Sequence, residues 1–530
     1  MHVYEGAIVC CDPANTVARY LVEDEGRILF VGDELPARFG AVPRTSLGER
    51  ALLPAFADTH VHFTSFSLFS AGLDVRAARD FEELGAQVRD FAARSDERIV
   101  LGFGASAHSV AEKRLISRAE LDRVLPDRPI FLVKYDGHAC VLNSRMLELL
   151  PAPVRTLRGY HADSGELNQE ACFAAIDFVT RHVSLLRLLR NLVGGIDQMA
   201  ARGIGMMHTV EGVGFPRDLD VDLVRFFARG LRGGFQTRLF FQTLEVAKVK
   251  RRGLPRVGGC FATALDGCFG SKDAALGEAY DDEPTNRGVL FYDDARVVAF
   301  AKEANRAGLQ IELHAIGDAA FDQAVRALVA ALEDAPRADH RHTVIHACLP
   351  TERSLDLCAR HGIGLAVQPA FLDWSLEPLE YLERILGGRA RRISPLREMA
   401  DRGIVMSGGS DAPCTLPDPI AGIHAACNHY EPGQSLRVEE ALKLFTYNAA
   451  WTSFDEKERG SLEAGKVADM VVLDRNPLTI ETGRLRELKV ERLLLRGRPH
   501  QPGQSLASLA LRGISGLGRE AGRGAGLRSA

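Results

Sequence analysis

Residues 52–63 read Leu-Leu-Pro-Ala-Phe-Ala-Asp-Thr-His-Val-His-Phe, an apolar run that ends in a His-x-His pair. Side chains alternate faces along an extended segment, so His60 and His62 project from the same side of this predicted strand. Two imidazoles placed in this way at the end of a buried strand can bind one metal ion. A coincidental pair of surface histidines is the alternative, and residues farther along the chain decide between the two interpretations.

Composition places the chain among ordinary globular proteins and excludes several classes of partner. It has 530 residues, of which 46% are hydrophobic and 25% charged, with a formal net charge of -5. This size allows one large core and a smaller domain. No dense basic run indicates nucleic acid, and no run of eighteen apolar residues indicates a membrane span. We therefore expect a small-molecule substrate, no nucleic acid and no membrane partner, and we leave open whether two copies form a homodimer.

The N-terminal sequence and the cysteines favour the cytoplasm. Residues 1–7 lack the basic-then-apolar order of a signal peptide. The ten cysteines are scattered without the spacing of a disulfide scaffold, and Cys10 and Cys11 are adjacent, which is awkward for structural disulfides. We expect mostly buried, reduced thiols in a cytoplasmic protein.

The two ends of the chain share a strand-like character. Short apolar runs occur at residues 6–11, 18–22, 27–32, 468–474 and 490–497. Strands this short need a partner sheet to bury a core. We therefore predict that residues 1–52 and 451–500 form one small β-sandwich domain, and that the Gly-, Ser-, Ala- and Arg-rich residues 501–530 form a flexible tail.

Between the two ends, short apolar runs alternate with helical patterns. Nine runs are candidate strands: 53–58, 98–104, 129–133, 205–208, 238–242, 309–314, 343–346, 363–368 and 403–407. Repeated β-then-α units favour a parallel sheet, and roughly eight of them favour an α/β fold with a (β/α)8 TIM-like barrel over residues 53–450. With nine candidates, at least one run lies outside the barrel.

Polar side chains close several of these runs, at the position where a (β/α)8 barrel carries its active site. His314 ends Leu-Gln-Ile-Glu-Leu-His, His346 ends Thr-Val-Ile-His, and Asp411 follows Ile-Val-Met-Ser-Gly-Gly-Ser. A single histidine at a strand end is more often a satisfied core residue than a ligand. Together with His60 and His62, however, the ordered set indicates a metal centre.

The same residues carry a resemblance to a known family. The motifs are His60-x-His62, His314 in His-Ala-Ile-Gly-Asp, His346 in Ile-His-Ala, and Gly409-Ser-Asp411-Ala-Pro. They resemble the amidohydrolase superfamily, and more closely its amidohydrolase-3 branch, which includes N-substituted formamide deformylase-like proteins. Residues 460–474 look like the segment by which that family returns from the barrel to the β-domain. The resemblance covers roughly residues 1–500.

The resemblance implies a metal-ligand set and a mechanism. By it, His60, His62 and Asp411 would hold one metal ion, and His314 and His346 would hold a second. Zinc suits such a site because it lowers the pKa of bound water to about 7 and polarises a scissile carbonyl. Asp411 could accept the proton of the water and pass it to the leaving amine, since one carboxylate can act as base and then as acid.

One position departs from the family pattern. The family commonly has a carboxylated lysine that bridges the metals a few residues before the Asp-Gly found here at 266–267, and no lysine is present there. Cys260 is the nearest residue able to bind metal, as cysteine does in the related D-aminoacylases, whereas a small buried hydrophobe is the alternative. Lys134 is another candidate bridge, at a less suitable place in the chain. The metal count stays open at one or two.

Other polar residues are candidates for the substrate pocket. His138, on a loop after a strand, and Asp266, in a Gly-rich turn with Cys268 and Lys272, are the predicted substrate-binding residues. For His138 a loop-bracing role is the alternative. His208 ends another strand candidate and is a further residue that could face the site.

These patterns predict a metal-dependent amidohydrolase that hydrolyses a non-peptide C–N bond, in an amide or an N-acyl or N-formyl amine, through metal-activated water. Deamination or hydrolysis of a cyclic amide in a similar site is the second enzymatic interpretation. A non-catalytic barrel that serves as a scaffold is the third. The retention of the five predicted histidine and aspartate ligands argues against a scaffold.

Overall fold

The computed structural model describes residues 1–231 and 233–523, and these residues form three β-sheets surrounded by helices. The strands, in chain order, are β1 (His2–Val9), β2 (Val17–Asp24), β3 (Arg27–Gly32), β4 (Arg44–Pro54), β5 (Phe56–Val61), β6 (Leu73–Asp74), β7 (Val100–Ala105), β8 (Ile130–Lys134), β9 (Ala139–Leu142), β10 (Tyr160–His161), β11 (Glu166–Asn168), β12 (Ile204–Glu211), β13 (Gln236–Phe241), β14 (Arg256–Ala264), β15 (Gln310–Ala315), β16 (Thr343–His346), β17 (Gly364–Val367), β18 (Met406–Gly408), β19 (Met470–Leu473), β20 (Val490–Leu495) and β21 (Arg498–Pro499).

Eight parallel strands of the described chain form the central sheet, in the order β18-β17-β16-β15-β14-β13-β12-β5. Its two edge strands meet at their carboxyl ends. The Asp411 N–H donates to the His60 carbonyl over 2.8 Å, and the His62 N–H donates to the Ala412 carbonyl over 2.9 Å. The sheet is therefore nearly closed into a barrel, which confirms the predicted (β/α)8 fold and places all eight carboxyl ends around one mouth.

Seven of these barrel strands match predicted runs, but β14 does not, and two predicted runs lie elsewhere. The runs at 98–104 and 129–133 form β7 and β8 of a different sheet. Strand β14 lacks a continuous apolar run because it contains Gly258 and Gly259, with φ of 112° and 130°. A Cβ atom at Gly258 would lie 1.8 Å from the Glu312 carbonyl oxygen, so the close approach of β14 and β15 requires glycine there.

A six-stranded sheet is inserted between the barrel strands β5 and β12, in the order β10-β11-β9-β8-β7-β6. Strand β8 is buried on both faces: Ile130 and Leu132 pack into one apolar cluster, and Phe131 and Val133 pack into another. The predicted barrel range 53–450 therefore contains this second sheet in addition to the barrel. A strand that is buried on both faces has a continuous apolar sequence, whether it belongs to the barrel or to the inserted sheet. The sequence therefore did not distinguish strands of the inserted sheet from barrel strands.

The two ends of the chain pair in one seven-stranded sheet, in the order β21-β20-β19-β4-β1-β2-β3. Strand β4 joins the ends, because it pairs in parallel with β1 and antiparallel with β19. Ile8, Leu21, Leu52, Met470 and Leu494 share one buried apolar cluster. This confirms that strands from both termini build β-structure together, here as a single sheet, and β4 leads directly into the first barrel strand.

The α-helices, in chain order, are α1 (Phe63–Ser70), α2 (Phe81–Arg94), α3 (Arg118–Val124), α4 (Ser144–Leu149), α5 (Gln169–Thr180), α6 (Leu185–Ala201), α7 (Leu219–Gly230), α8 (Val246–Arg251), α9 (Asp294–Arg306), α10 (Asp318–Asp334), α11 (Glu352–His361), α12 (Leu379–Leu386), α13 (Leu396–Asp401), α14 (Pro419–Cys427), α15 (Val438–Leu444), α16 (Tyr447–Thr452) and α17 (Leu506–Arg523). Among these described helices, none combines the length and the apolar character needed to cross a membrane.

Part of the predicted flexible tail is helical. Helix α17 covers residues 506–523. Leu509 is fully buried in an apolar cluster, and Leu506 packs against that cluster. Leucines three positions apart lie on one face of a helix, and this short stripe is enough to dock its first turn. Residues 524–530, the remainder of the predicted tail, lie outside the described residues.

Candidate metal centre

The six predicted metal ligands meet at the carboxyl-terminal mouth of the barrel. They are His60 in β5, His62 just after it, Cys260 in β14, His314 in β15, His346 at the end of β16, and Asp411 three residues after β18. Each is buried, with at most 7% of its surface exposed. Their ligand atoms fall into two groups, each within a span of 4.8 Å: His60, His62, Cys260 and Asp411 in one, and Cys260, His314 and His346 in the other.

In the first group, two imidazoles face one carboxylate oxygen. The Nε2 atoms of His60 and His62 each lie 3.2 Å from Oδ1 of Asp411, and Sγ of Cys260 lies 3.2 Å from Nε2 of His60. Within the described residues, however, this Oδ1 accepts no hydrogen bond. A buried carboxylate oxygen that is surrounded by imidazole nitrogens without being hydrogen-bonded to them fits a position next to a shared cation.

In the second group, Cys260 is the common neighbour of two histidines. Its Sγ lies 3.3 Å from Nδ1 of His314 and 3.6 Å from Nε2 of His346. Cys260 thus belongs to both groups, and a bridging role for it stays a prediction. Lys134, the other candidate bridge, is engaged elsewhere, because its Nζ lies 2.8 Å from the Asp136 carboxylate and donates to the Gly270 carbonyl over 3.0 Å.

Burial sets the protonation states of these side chains. Burial lowers the pKa of His60 and brings the pKa of His346 well below its usual range, so both imidazoles are neutral and can offer a lone pair. Burial raises the pKa of Asp411, but the close contacts with His60 and His62 outweigh it and hold this pKa well below its usual range. Burial also raises the pKa of the Cys260 thiol, and a bound cation acts in the opposite direction because metal-bound thiols are deprotonated.

Carbonyl oxygens orient the histidines of the second group. Nδ1 of His346 lies 2.6 Å from Oε1 of Gln368, and Nε2 of His314 lies 3.2 Å from the Gly267 carbonyl oxygen. In each case the contact is made by the ring nitrogen that faces away from the sulfur, which leaves the other nitrogen free for a metal. Sequence reasoning missed Gln368, although it is the polar residue that closes the run 363–368.

Asp58 is a second residue that sequence reasoning missed. Its Oδ1 accepts the backbone N–H groups of His60 and Ser410 over 3.2 and 3.0 Å, and its Oδ2 accepts the Ser410 hydroxyl over 2.5 Å. Asp58 therefore ties the first barrel strand to the segment that carries Asp411. The available signal was an acidic residue inside an otherwise apolar run.

Asp266, a predicted substrate-binding residue, makes several contacts within the protein. It is fully buried. Its Oδ1 accepts the Ile316 N–H over 3.0 Å, and its Oδ2 accepts the N–H groups of Ala275 and Gly317 over 2.9 and 2.8 Å. Three backbone donors and the His314 ring, whose Nε2 lies 3.5 Å from Oδ1, thus surround the carboxylate. Asp266 therefore braces the loop after His314, and its contact with a substrate stays a prediction.

The neighbours of Asp266 in the Gly-rich turn are also engaged in the fold. Cys268 donates to the Asp136 carboxylate over 3.3 Å. Lys272 forms ion pairs with Asp282 at 2.7 Å and Glu283 at 2.6 Å. These contacts hold the turn in place.

The two remaining candidate histidines differ in position. His138 is partly exposed, its ring centroid lies 5.8 Å from that of Phe261, and the Phe261 ring lies 4.9 Å from that of His62. It therefore lies at the edge of the mouth, one aromatic ring away from a predicted ligand. His208 is buried inside the barrel and belongs to neither ligand group. Burial lowers its pKa to about 3, which keeps it neutral.

Known proteins share this sequence pattern and fold. The model of the Amidohydrolase family matches residues 46–500. A protein named as an amidohydrolase, YtcJ, of Bacillus subtilis (strain 168) is 26% identical over 88% of this chain and 92% of its own length. N-substituted formamide deformylase of Arthrobacter pascens is 27% identical over 92% of this chain and 95% of its own length.

A solved structure shows the same fold. The crystal structure of a metal-dependent hydrolase from Pyrococcus furiosus matches with a TM-score of 0.72 at 24% identity, covering 90% of this chain and 100% of that chain. The family match itself spans most of the chain and includes all six side chains at the barrel mouth. The chain therefore belongs to the amidohydrolase family, and hydrolysis is the class of reaction that this membership supports.

Proposed function

We propose that this protein is a metal-dependent amidohydrolase that hydrolyses a non-peptide C–N bond in an amide, an N-acyl amine or an N-formyl amine. The observation that carries the proposal is the meeting of four histidines, one cysteine and one aspartate in a buried cluster at the barrel mouth. The name of the Arthrobacter pascens relative, N-substituted formamide deformylase, supports an amide-type bond.

The donor set supports zinc, as one or two ions. Imidazole, thiolate and carboxylate donors all suit zinc. His60, His62 and Asp411 would hold one ion and His314 and His346 a second, with Cys260 between the two groups. When bound, zinc supplies a Lewis acid for the scissile carbonyl and a water molecule whose pKa is about 7.

Asp411 is the proposed proton carrier. Its contacts with His60 and His62 keep its carboxylate ionised, so it can accept the proton of the attacking water and then donate that proton to the leaving nitrogen. We propose that His138, at the edge of the mouth, donates a hydrogen bond to a carbonyl or carboxylate oxygen of the substrate. Its partial exposure leaves the ring open to a ligand.

A substrate panel with product analysis tests the proposal. Chelator-treated protein is reconstituted with zinc and offered N-formyl amines, N-acyl amines, N-acyl amino acids, a cyclic amide and an aminated heterocycle. We expect release of an amine together with a carboxylate. Ammonia or an opened ring would instead indicate a deaminase or a cyclic amidase, and the lack of any turnover by zinc-loaded protein would contradict a hydrolytic function.

Two variants test the assignment of residues. His60→Ala and Asp411→Asn should leave the protein folded and abolish turnover, because each removes a donor of the first group. His161→Ala and Asp163→Asn are matched controls at exposed positions, and we expect both to retain activity. Normal turnover in metal-analysed His60→Ala and Asp411→Asn proteins would refute the assignment.

A further inference from the structure

We propose that the ring of Phe261 is a gate at the barrel mouth. It closes one side of the candidate metal centre and must turn away before a substrate reaches that centre, so Phe261 selects substrates by their size. The proposal rests on the hydrolytic function for the identity of the entering molecule, whereas the gate itself follows from the packing of the ring.

Phe261 lies in a bulge of β14. Leu313 and His314 are consecutive residues of β15. Their partners in β14, Gly259 and Ala264, are five positions apart, so β14 has four extra residues at this point. A bulge bends its strand and redirects side chains, and bulges are frequent beside active sites. Phe261 itself has a φ of 46°, a strained conformation for a bulky residue.

Hydrogen bonds hold the backbone of the bulge before and after Phe261. The Thr263 hydroxyl donates to the Gly259 carbonyl over 2.9 Å, and the Tyr292 hydroxyl donates to the Ala262 carbonyl over 3.0 Å. A strained backbone persists where the surrounding structure holds it in this way. The motion of the gate is therefore a rotation of the Phe261 side chain between rotamers, with the backbone in place.

The ring of Phe261 lies between the barrel and the inserted sheet. Its centroid lies 4.9 Å from that of His62, which follows barrel strand β5. On the other side it lies 5.8 Å from the ring of His138, between β8 and β9, and 5.4 Å from that of Phe173, on α5. Ring pairs at these distances attract each other, so three contacts favour the closed position.

Phe261 also covers the interior of the barrel. It packs against a cluster of three residues from neighbouring strands, Cys260, Ile345 and Ala366. Each of the three is at most 4% exposed, whereas Phe261 is partly exposed. On this side of the mouth, a molecule from solvent therefore meets the Phe261 ring before it meets the Cys260 thiol.

The ring occupies space that a bound substrate needs. His138 is the proposed donor to a substrate oxygen, His62 is a proposed metal ligand, and the Phe261 ring contacts both. A molecule that reaches from His138 to the metal centre must displace the ring. A bulky molecule requires a larger displacement than a small one, which gives selection by size. A ring that returns over a bound substrate excludes bulk water from the site.

Reactivity of the Cys260 thiol tests the gate without metal or turnover. Metal-free full-length protein is treated with iodoacetamide, which is small, or with N-(1-pyrenyl)maleimide, which is bulky, and peptide mass spectrometry follows the modification of Cys260. We expect Phe261→Ala to raise the bulky-to-small ratio of rates by at least about tenfold, because ring contacts no longer hold the entrance closed. An unchanged ratio in folded Phe261→Ala would overturn the gate.

Other variants locate the entrance. Phe173→Ala removes one ring contact without changing the bulge, and it should raise the ratio by about two- to tenfold even if Phe261→Ala does not fold. Phe91→Ala is the control, because Phe91 is also partly exposed but lies on α2 outside the mouth. Phe371 stacks on His346 with ring centroids 6.1 Å apart. A higher ratio in Phe371→Ala but not in Phe261→Ala would move the entrance there and refute the gate.

Turnover separates the gate from the proposed hydrolysis. N-methylbenzamide and N-methylacetamide differ only in the size of the acyl group. With zinc-loaded protein, we expect Phe261→Ala to raise kcat/KM for the larger amide relative to the smaller one by about tenfold. A higher labelling ratio without turnover of any amide would support the gate and reject the hydrolysis. Turnover with the same size preference and labelling ratio in wild type and Phe261→Ala would reject the gate and retain the hydrolysis.

Discussion

The Nδ1 atom of His346 lies 2.6 Å from Oε1 of Gln368, and the opposite ring nitrogen of His346 lies 3.6 Å from Sγ of Cys260. The amide oxygen of Gln368 can only accept a hydrogen bond, so the imidazole proton must be on Nδ1. Nε2 then keeps its lone pair and is directed into the ligand cluster. Contacts of this kind fix the tautomer and the orientation of metal-binding histidines.

We therefore predict that Gln368→Ala lowers the zinc affinity of the protein by about 10- to 100-fold, because His346 loses the partner that orients it. Gln368→Glu keeps an acceptor oxygen at the same position and should retain most of the affinity. Competition with a chromophoric chelator measures both values. The same affinity in Gln368→Ala and wild type would show that the Gln368 contact has no role in metal binding.

We predict that Cys260→Ser lowers the number of zinc ions bound per chain. The sulfur lies within 3.6 Å of three imidazoles, and a serine hydroxyl is a much poorer zinc ligand than a thiolate. Elemental analysis after dialysis measures the change. Cys358→Ser is the matched control, since Cys358 is also fully buried but lies in α11 outside both ligand groups. If Cys260→Ser retains the full metal content, Cys260 is a buried hydrophobe and not a ligand.

Glu211 should make stability depend on pH. It is buried, burial raises its pKa, and the nearby Asp220 raises it further. The folded protein therefore holds a proton that the unfolded chain releases above about pH 4.3. In this range the folded state binds more protons, so the free energy of unfolding falls as the pH rises from the unfolded pKa toward the folded pKa.

Glu211→Gln should remove this contribution. We expect the loss of stability between about pH 5 and about pH 7, measured by urea unfolding, to be smaller in Glu211→Gln than in wild type. Other buried carboxyl groups contribute to both proteins equally, so the difference between the two slopes is the informative quantity. Glu170→Gln, at an exposed position on α5, should match wild type. A Glu211→Gln slope equal to that of wild type would mean that Glu211 is ionised in the folded protein.

Gly258→Ala should destabilise the protein by about 3 kcal/mol or more. The added methyl group would lie 1.8 Å from the Glu312 carbonyl oxygen and would force β14 and β15 apart. Gly308→Ala is the control: its φ is also positive, at 75°, but no atom lies within 4 Å of the added methyl group, so only the backbone strain is introduced. Denaturant unfolding measures the free energy of unfolding of both variants. Equal decreases in the two variants would show that the structure relieves the clash at Gly258 without losing stability.

Much of the candidate site was predictable because its signals are local. An apolar run ends at each of His60, His62, His314 and His346. A polar residue that closes a buried parallel strand lies at the mouth of the barrel, whatever the position of that strand in the sheet. Gln368 closes a run in the same way and Asp58 interrupts one, but their roles were not predicted because the partners that define them, His346 and Ser410, are distant in the chain. Asp266 was predicted only as a substrate ligand, and its three backbone donors, which only the tertiary structure shows, add a bracing role.

The sequence by itself determined the period of the strands and helices, the identity of the candidate ligand side chains and the pairing of the two termini. These follow from side-chain chemistry and from patterns a few residues long. The tertiary structure alone decided that residues 98–104 and 129–133 leave the barrel, that glycine-rich β14 enters it, and that Cys260 lies between both groups of histidines. Such choices depend on which strands are neighbours, and packing between residues distant in the chain sets that order.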